Sequence, residues 1–309
     1  MIHRSLVLSL VASLAIPAAA AAQVGPISPQ TIAAPGPLSA EQLEEVASAV
    51  NGWADKVLGE DADDVIDARN EVERLATKTP SATVAFRREL GLAFDKRFEG
   101  AAVSGTADRS VTIFVMARLI GTFETVEFIA DHLNPDKCDS PAVRIAASAQ
   151  LPKAVEAPLL SPPQLDGLAK RVATIASKER EWIAVAHEFE ALGAMIRRQG
   201  LSAAQAEAIG SSLSATINDL TERVNHGSAP EMVHALQRAL LVVRNQLSGV
   251  PASARAKLLA DIAPSLKQLA DSEGKPPASM GTDRRLSETY KAVSRTAGLL
   301  QKVRATDGA

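Results

Sequence analysis

Of 309 residues only one is cysteine, Cys138, and aromatic side chains make up just 3%. A single thiol cannot close an internal disulfide. It also excludes zinc ribbons and iron–sulfur clusters, which need several thiolates. So few aromatics make β-sandwiches poor fits and remove the stacking platforms that bind single-stranded nucleic acid. Positive charge is not in excess: 33 Lys and Arg stand against 36 Asp and Glu, a net charge of -3. A broad cationic surface for nucleic acid is therefore excluded. The G-x-x-x-x-G-K-[ST] and G-x-G-x-x-G phosphate cradles are missing, as is the G-x-S-x-G nucleophile turn. Beyond the first 22 residues there is no second strongly apolar stretch long enough to span a bilayer. What the chain does have is apolar residues, 46% of the total, enough for a sizeable core and too many for global disorder.

Residues 1–22 read as a cleavable secretory signal. Met1-Ile2-His3-Arg4 is a short basic start, Ser5 to Ile16 is apolar, Pro17 interrupts, and Ala18 to Ala22 supply the small side chains that signal peptidase needs. The expected cleavage lies near Ala22, and the expected location is the periplasm or exterior of a bacterial cell. Only an uncleaved signal would hold the chain to a membrane. Cleavage removes one Arg and leaves a net charge of -4. No Cys lies near the junction, which argues against a lipoprotein. Cys138 sits in the polar stretch Asp136–Ser140 and is read as an uninvolved thiol, with an intermolecular disulfide as the alternative.

Residues 23–38 hold four prolines and two glycines and no charge, the composition of a flexible linker. From Ser39 the pattern changes. Ser39-Ala40-Glu41-Gln42 is a capping-box signature, and a helix is expected from it to Leu58. Eleven further helices are expected over 61–77, 81–98, 108–122, 124–133, 141–154, 163–177, 179–198, 202–225, 230–248, 252–272 and 283–304, with Pro and Gly between them. Two-residue alternation is scarce, so no sheet is expected. The domain organisation is thus a signal (1–22), a linker (23–38) and one helical domain (39–309), with a candidate break near 199–201 and a loop at 273–282. Helix 108–122 is apolar on nearly every side and must be surrounded. Late helices carry narrow stripes, such as Val233, Leu236, Leu240, Val243 and Leu247, which favour antiparallel hairpins. Every aromatic except Tyr290 lies between Trp53 and Phe189, leaving the C-terminal third an Ala/Leu core.

Glu124 to Leu151 forms one helix, an Asp-containing turn, and a Pro-led second helix carrying Val143, Arg144, Ala147 and Leu151. This unit resembles a HEAT repeat. Leu165 to Leu192 is a degenerate copy at an offset of about 41, inside the usual range for such units. It has Ala184-Val185 where the pattern has Val-Arg, and Glu188 where it has a small inner Ala. Ala229 to Leu240 aligns as a weaker third copy. The resemblance implies an all-α fold of stacked antiparallel hairpins, a HEAT- or armadillo-like right-handed α-solenoid; an irregular helical bundle is the alternative. It also implies that the solvent side of the second helices meets partners. The candidates carried onto this chain are Arg109, Arg118, Arg144, Glu190, His234, Arg238 and Arg244. For Arg144 a bracing role is the competing reading, with Asp136 or Asp139 of the turn as its partner.

No catalytic, cofactor-binding or metal residue is assigned. His187-Glu188 lacks the second His of a zincin, and Asp61, Asp63 and Asp64 fit an acidic helix start better than a calcium loop. His132, Asp136, Cys138 and Asp139 are the remaining metal candidates, with an ordinary polar turn as the preferred reading. The expected function is an exported, non-enzymatic interaction scaffold for a protein or cell-envelope partner. The alternatives are an all-helical lyase or hydrolase acting on envelope or polysaccharide material, and a structural subunit of an envelope assembly.

Overall fold

The computed structural model describes residues 27–246 and 249–307; the signal and residues 23–26 lie outside them. Among the described residues there are fifteen α-helices and no strand. In chain order they are α1 (Pro29–Ile32), α2 (Ala40–Leu58), α3 (Ala62–Thr77), α4 (Val84–Phe98), α5 (Ala101–Ser104), α6 (Ala107–Ile120), α7 (Phe123–Asp131) and α8 (Pro141–Ala154). Then follow α9 (Pro162–Lys178), α10 (Trp182–Ile196), α11 (Ala203–Asn225), α12 (Val233–Gln246), α13 (Ala252–Asp261), α14 (Ala263–Asp271) and α15 (Arg284–Asp307). No described helix is long and apolar enough to cross a membrane.

Local chemistry sets the starts. At α2, α9 and α11 a serine is followed three residues on by Gln, whose side-chain oxygen accepts the serine's backbone N–H at 2.9, 2.8 and 2.9 Å. Each removes one orphan donor from the first turn. Thr83 and Thr122 cap α4 and α7 in the same spirit. One expected helix, 252–272, is two. Its break at Ile262 (φ -93°, ψ -2°) precedes Pro264, which has no N–H to donate to Ala260 and whose ring crowds that carbonyl.

The helices pack in two rows. One row runs α2, α4, α7, α9, α11, α13, and the other α3, α6, α8, α10, α12, α15, each helix against the next in its row. Hairpin contacts such as α2–α3, α7–α8 and α9–α10 join the rows, and α14 closes the end against α15. No substantial packing joins α2–α6 to α9–α15 among the described residues. Polar contacts between successive layers recur at sequence separations of 42 (Arg97–Asp55), 44 (Arg171–Glu127), 42 (Lys178–Asp136), 44 (Arg223–Glu179) and 48 (Arg238–Glu190). The core is continuous from Ile27 to Leu300. Its early part is aromatic, with Phe94 stacked on Phe98 at 4.4 Å and edge-on to Phe128 at 5.7 Å. Its late part is aliphatic, from Val233 and Leu236 to Val293 and Ala297.

Residues 27–38, expected as a flexible linker, are packed. Ile27, Ile32, Ala34 and Leu38 are buried. Glu45 of α2 accepts hydrogen bonds from the backbone N–H and hydroxyl of Ser28 and from the Thr31 hydroxyl, and Thr83 N–H donates to Ile32 O at 3.1 Å. Partial burial pushes the Glu45 carboxyl up, but the bonds from Thr31 and Ser28 outweigh it and hold the group below its usual range. The prolines start a turn here; the two isoleucines supply what a loose linker lacks, a reason to dock.

Candidate functional site

The seven residues proposed for recognition fall on four consecutive helices of one row: Arg109 and Arg118 on α6, Arg144 on α8, Glu190 on α10, and His234, Arg238 and Arg244 on α12. Their environments differ. Glu190, His234 and Arg238 converge in a groove of about 460 Å³ between α10 and α12. Arg238 donates to Glu190 Oε1, and the other carboxylate oxygen lies 3.1 Å from His187 Nδ1. Trp182 and Ile183, about a third exposed, form the apolar rim. The Trp182 ring centroid lies 4.9 Å from that of His234, at 49°. His234 Nδ1 is 3.3 Å from Thr289 Oγ1 of α15, which fixes the imidazole from behind. Burial and the Arg285 charge lower the His234 pKa, outweighing Asp283 and Glu231, so the ring is neutral near pH 7.

Trp182 opens α10 and lines the groove from there. The sequence reading starts this helix at Glu179, but residues 179–181 are not helical. Glu179 turns its carboxylate back to accept N–H bonds from Arg180 (2.7 Å) and Glu181 (2.9 Å). That leaves Trp182 at the first helical position, over the neighbouring α12. Sequence reasoning missed Trp182 and Gln237 as groove residues. The available signal was a large aromatic one turn ahead of the buried stripe Val185, Phe189 and Leu192, continuing it to the exposed start of α10.

Arg144 does not face solvent. Its side chain is 8% exposed, and its Nε and Nη2 donate to Glu179 at 2.6 and 3.1 Å. Nη1 donates to the carbonyls of Cys138 (2.9 Å) and Asp139 (3.2 Å). It is therefore a brace, as the competing reading had it, but its carboxylate partner is Glu179 and not Asp136 or Asp139. Arg109 is also engaged internally, donating to Gly59 O at 2.8 Å. Arg118 lies apart from the groove, at the C-terminal end of α6. Arg244 is exposed in the last turn of α12.

Two titratable groups are buried beside the brace. Glu188 of α10 is fully buried, and neither carboxyl oxygen has a hydrogen-bond partner among the described residues. Burial, reinforced by Glu179 and only partly offset by Arg144 and Arg223, pushes its pKa well above 4.5. Glu188 is thus held as a neutral acid among the buried side chains of α10. Cys138 is buried, with Sγ 3.8 Å from Ser140 O, and burial raises its thiol pKa. Among the described residues no group of three His, Cys, Asp or Glu side chains is placed to hold a metal ion. His132, one of the candidates, has its ring nitrogens 2.8 Å from Phe128 O and 3.2 Å from Glu99 O.

Comparison with protein-family profiles, with curated proteins and with solved structures finds no match to this chain.

Proposed function

We propose that this chain is an exported, non-enzymatic interaction module, a HEAT-like right-handed α-solenoid that binds a protein or cell-envelope partner through the α6–α8–α10–α12 row. The observation that carries the reading is the α10–α12 groove. There an exposed tryptophan and isoleucine sit beside a paired Glu190–Arg238 and a neutral histidine. Such a mixture of aromatic anchor and paired charge is what protein recognition sites use. The solenoid part is supported by nearest-neighbour packing in two rows and by polar contacts recurring every 42 to 48 residues. Export is supported by the basic, apolar and small-residue order of the first 22 residues.

The test places a photo-crosslinking amino acid at Ile183 or Gln237 in cells, with Lys170 on the other row as control. The reading expects a discrete adduct from the groove positions, lost on Trp182→Ala, and none from Lys170. Equal labelling from both rows, or no adduct from either groove position in exported protein, refutes it.

A further inference from the structure

A second cavity, of about 520 Å³, opens at the C-terminal end of α6, where α3, α4, the end of α8 and the 155–159 segment meet. Leu119, Ile120, Pro158 and Leu159 give it apolar walls. Gly121 forms part of its floor in the left-handed region (φ 63°), where an added Cβ would lie 3.2 Å from Ala157 Cβ. Three cations line it, Arg87, Arg118 and Lys153, against one carboxylate, the exposed Glu156. None of the three has an ion-pair partner among the described residues.

Two details make this more than a basic surface patch. Arg87 is held rigidly at the wall: Nη1 donates to Ala76 O, and Nε lies 3.4 Å from Ala82 O. Arg118 Nε is buried and donates to no acceptor among the described residues. A buried donor without an acceptor is costly, and an ionised oxygen is the acceptor that satisfies a guanidinium best. The apolar walls add a second requirement. A bare inorganic ion gains nothing from them, whereas cavities of this size with few polar groups suit small organic ligands.

We infer that this cavity binds a small amphipathic anion, an apolar chain or ring of modest size carrying a carboxylate or phosphate, with Arg118 and Lys153 on the oxyanion and Leu119, Pro158 and Leu159 on the apolar body. The inference does not rest on the partner-binding reading of the α10–α12 groove, which shares no residue with this cavity.

Titration calorimetry of the purified protein tests it with octanoate, octyl phosphate, octylammonium, acetate and inorganic phosphate. Octanoate or octyl phosphate should bind with one site per chain. Acetate and inorganic phosphate should bind at least tenfold more weakly, and octylammonium should not bind. Arg118→Met should weaken the best anion at least tenfold with the helical circular dichroism signal unchanged. If that variant misfolds, the exposed Lys153→Gln should still weaken binding at least threefold. Absence of binding by both octyl anions at millimolar concentration overturns the inference, as does octylammonium binding as tightly. Wild-type affinity in the folded variants overturns it too. The choice between octanoate and octyl phosphate identifies the head group.

Discussion

Replacing Arg144 by Met removes the brace while keeping most of its apolar stem. The wild-type guanidinium makes two hydrogen bonds to Glu179 and two to the carbonyls of Cys138 and Asp139. Glu179 is fully buried, and in the variant it keeps only the backbone donors of Arg180 and Glu181. Breaking a buried pair on one side leaves an uncompensated charge and costs about 3–5 kcal/mol. Whole-domain stability is typically about 5–15 kcal/mol, so the loss is a large fraction of it. Arg238→Met is the internal control: its side chain is 56% exposed, and a surface pair is worth about 1 kcal/mol or less. Urea unfolding followed by circular dichroism should separate the two variants by at least about 2 kcal/mol, the gap between those ranges. Adding Glu179→Gln to Arg144→Met should recover stability, because it removes the stranded charge. A loss below about 1 kcal/mol for Arg144→Met, the surface-pair range, refutes the argument. So does a double variant weaker than the single one by the full cost of Glu179→Gln alone, which would mean no coupling.

Glu188→Gln should abolish a pH dependence of stability. Unfolded Glu188 loses its proton near 4.5 while the folded acid keeps it, so stability falls as pH rises above 4.5, by about 1.4 kcal/mol per unit until the folded acid ionises; a wild-type-minus-variant difference that is flat from pH 4.5 to 8 in urea melts refutes this. Ile32→Ala should cost about 2–5 kcal/mol, since the side chain is 6% exposed in the core, whereas a loose linker predicts no change in the melt. Gly91→Ala should cost about 1–3 kcal/mol, because the new Cβ would lie 2.2 Å from Thr122 Oγ1; in a Thr122→Ala background the same substitution should cost clearly less, and equal costs in both backgrounds remove the steric explanation. His234 should titrate below 6.5 in a proton NMR titration, and an ordinary or raised value contradicts its burial against Trp182 and Arg285.

Much of the helical architecture was legible because two kinds of signal agree. Apolar spacing gives the body of each helix, and Ser-x-x-Gln or Thr at the start gives its first turn, as at Ser39 and Ser202. The failures have identifiable causes. Pro264 splits one helix, because periodicity does not register a missing N–H. The 27–38 segment reads as a linker because Pro and Gly make up a third of it, while its docking depends on four apolar side chains and on Glu45 seventeen residues away from Ser28. The start of α10 moved because Glu179 turns back on the backbone of its own neighbours, a local hydrogen bond that competes with the helix. Three of the seven candidate residues meet in the α10–α12 groove, and Trp182, its largest side chain, was not among them.

The fate of the arginines explains why a sequence places such residues on a row without assigning their work. A guanidinium carries five donors, and what it can recognise depends on which of them the chain already uses. Arg144 uses Nε and both terminal nitrogens on Glu179 and on two turn carbonyls. Arg198 likewise ties the carbonyls of Val155, Glu156 and Ala157, and Arg223 those of Ala176 and Glu179. Arg198 and Arg223 hold one layer to another at helix ends, where backbone carbonyls have no intrahelical partner, and Arg144 does so through Glu179. Arg118 sits at the end of α6 in the opposite condition, a buried Nε with no acceptor among the described residues. Arg238 is intermediate, paired to Glu190 at an exposed groove. These arginines therefore divide by the supply of nearby carbonyl and carboxylate oxygens: where the chain provides them, as to Arg144, Arg198 and Arg223, the residue ties the stack together, and at Arg118 a buried Nε is left without an acceptor among the described residues.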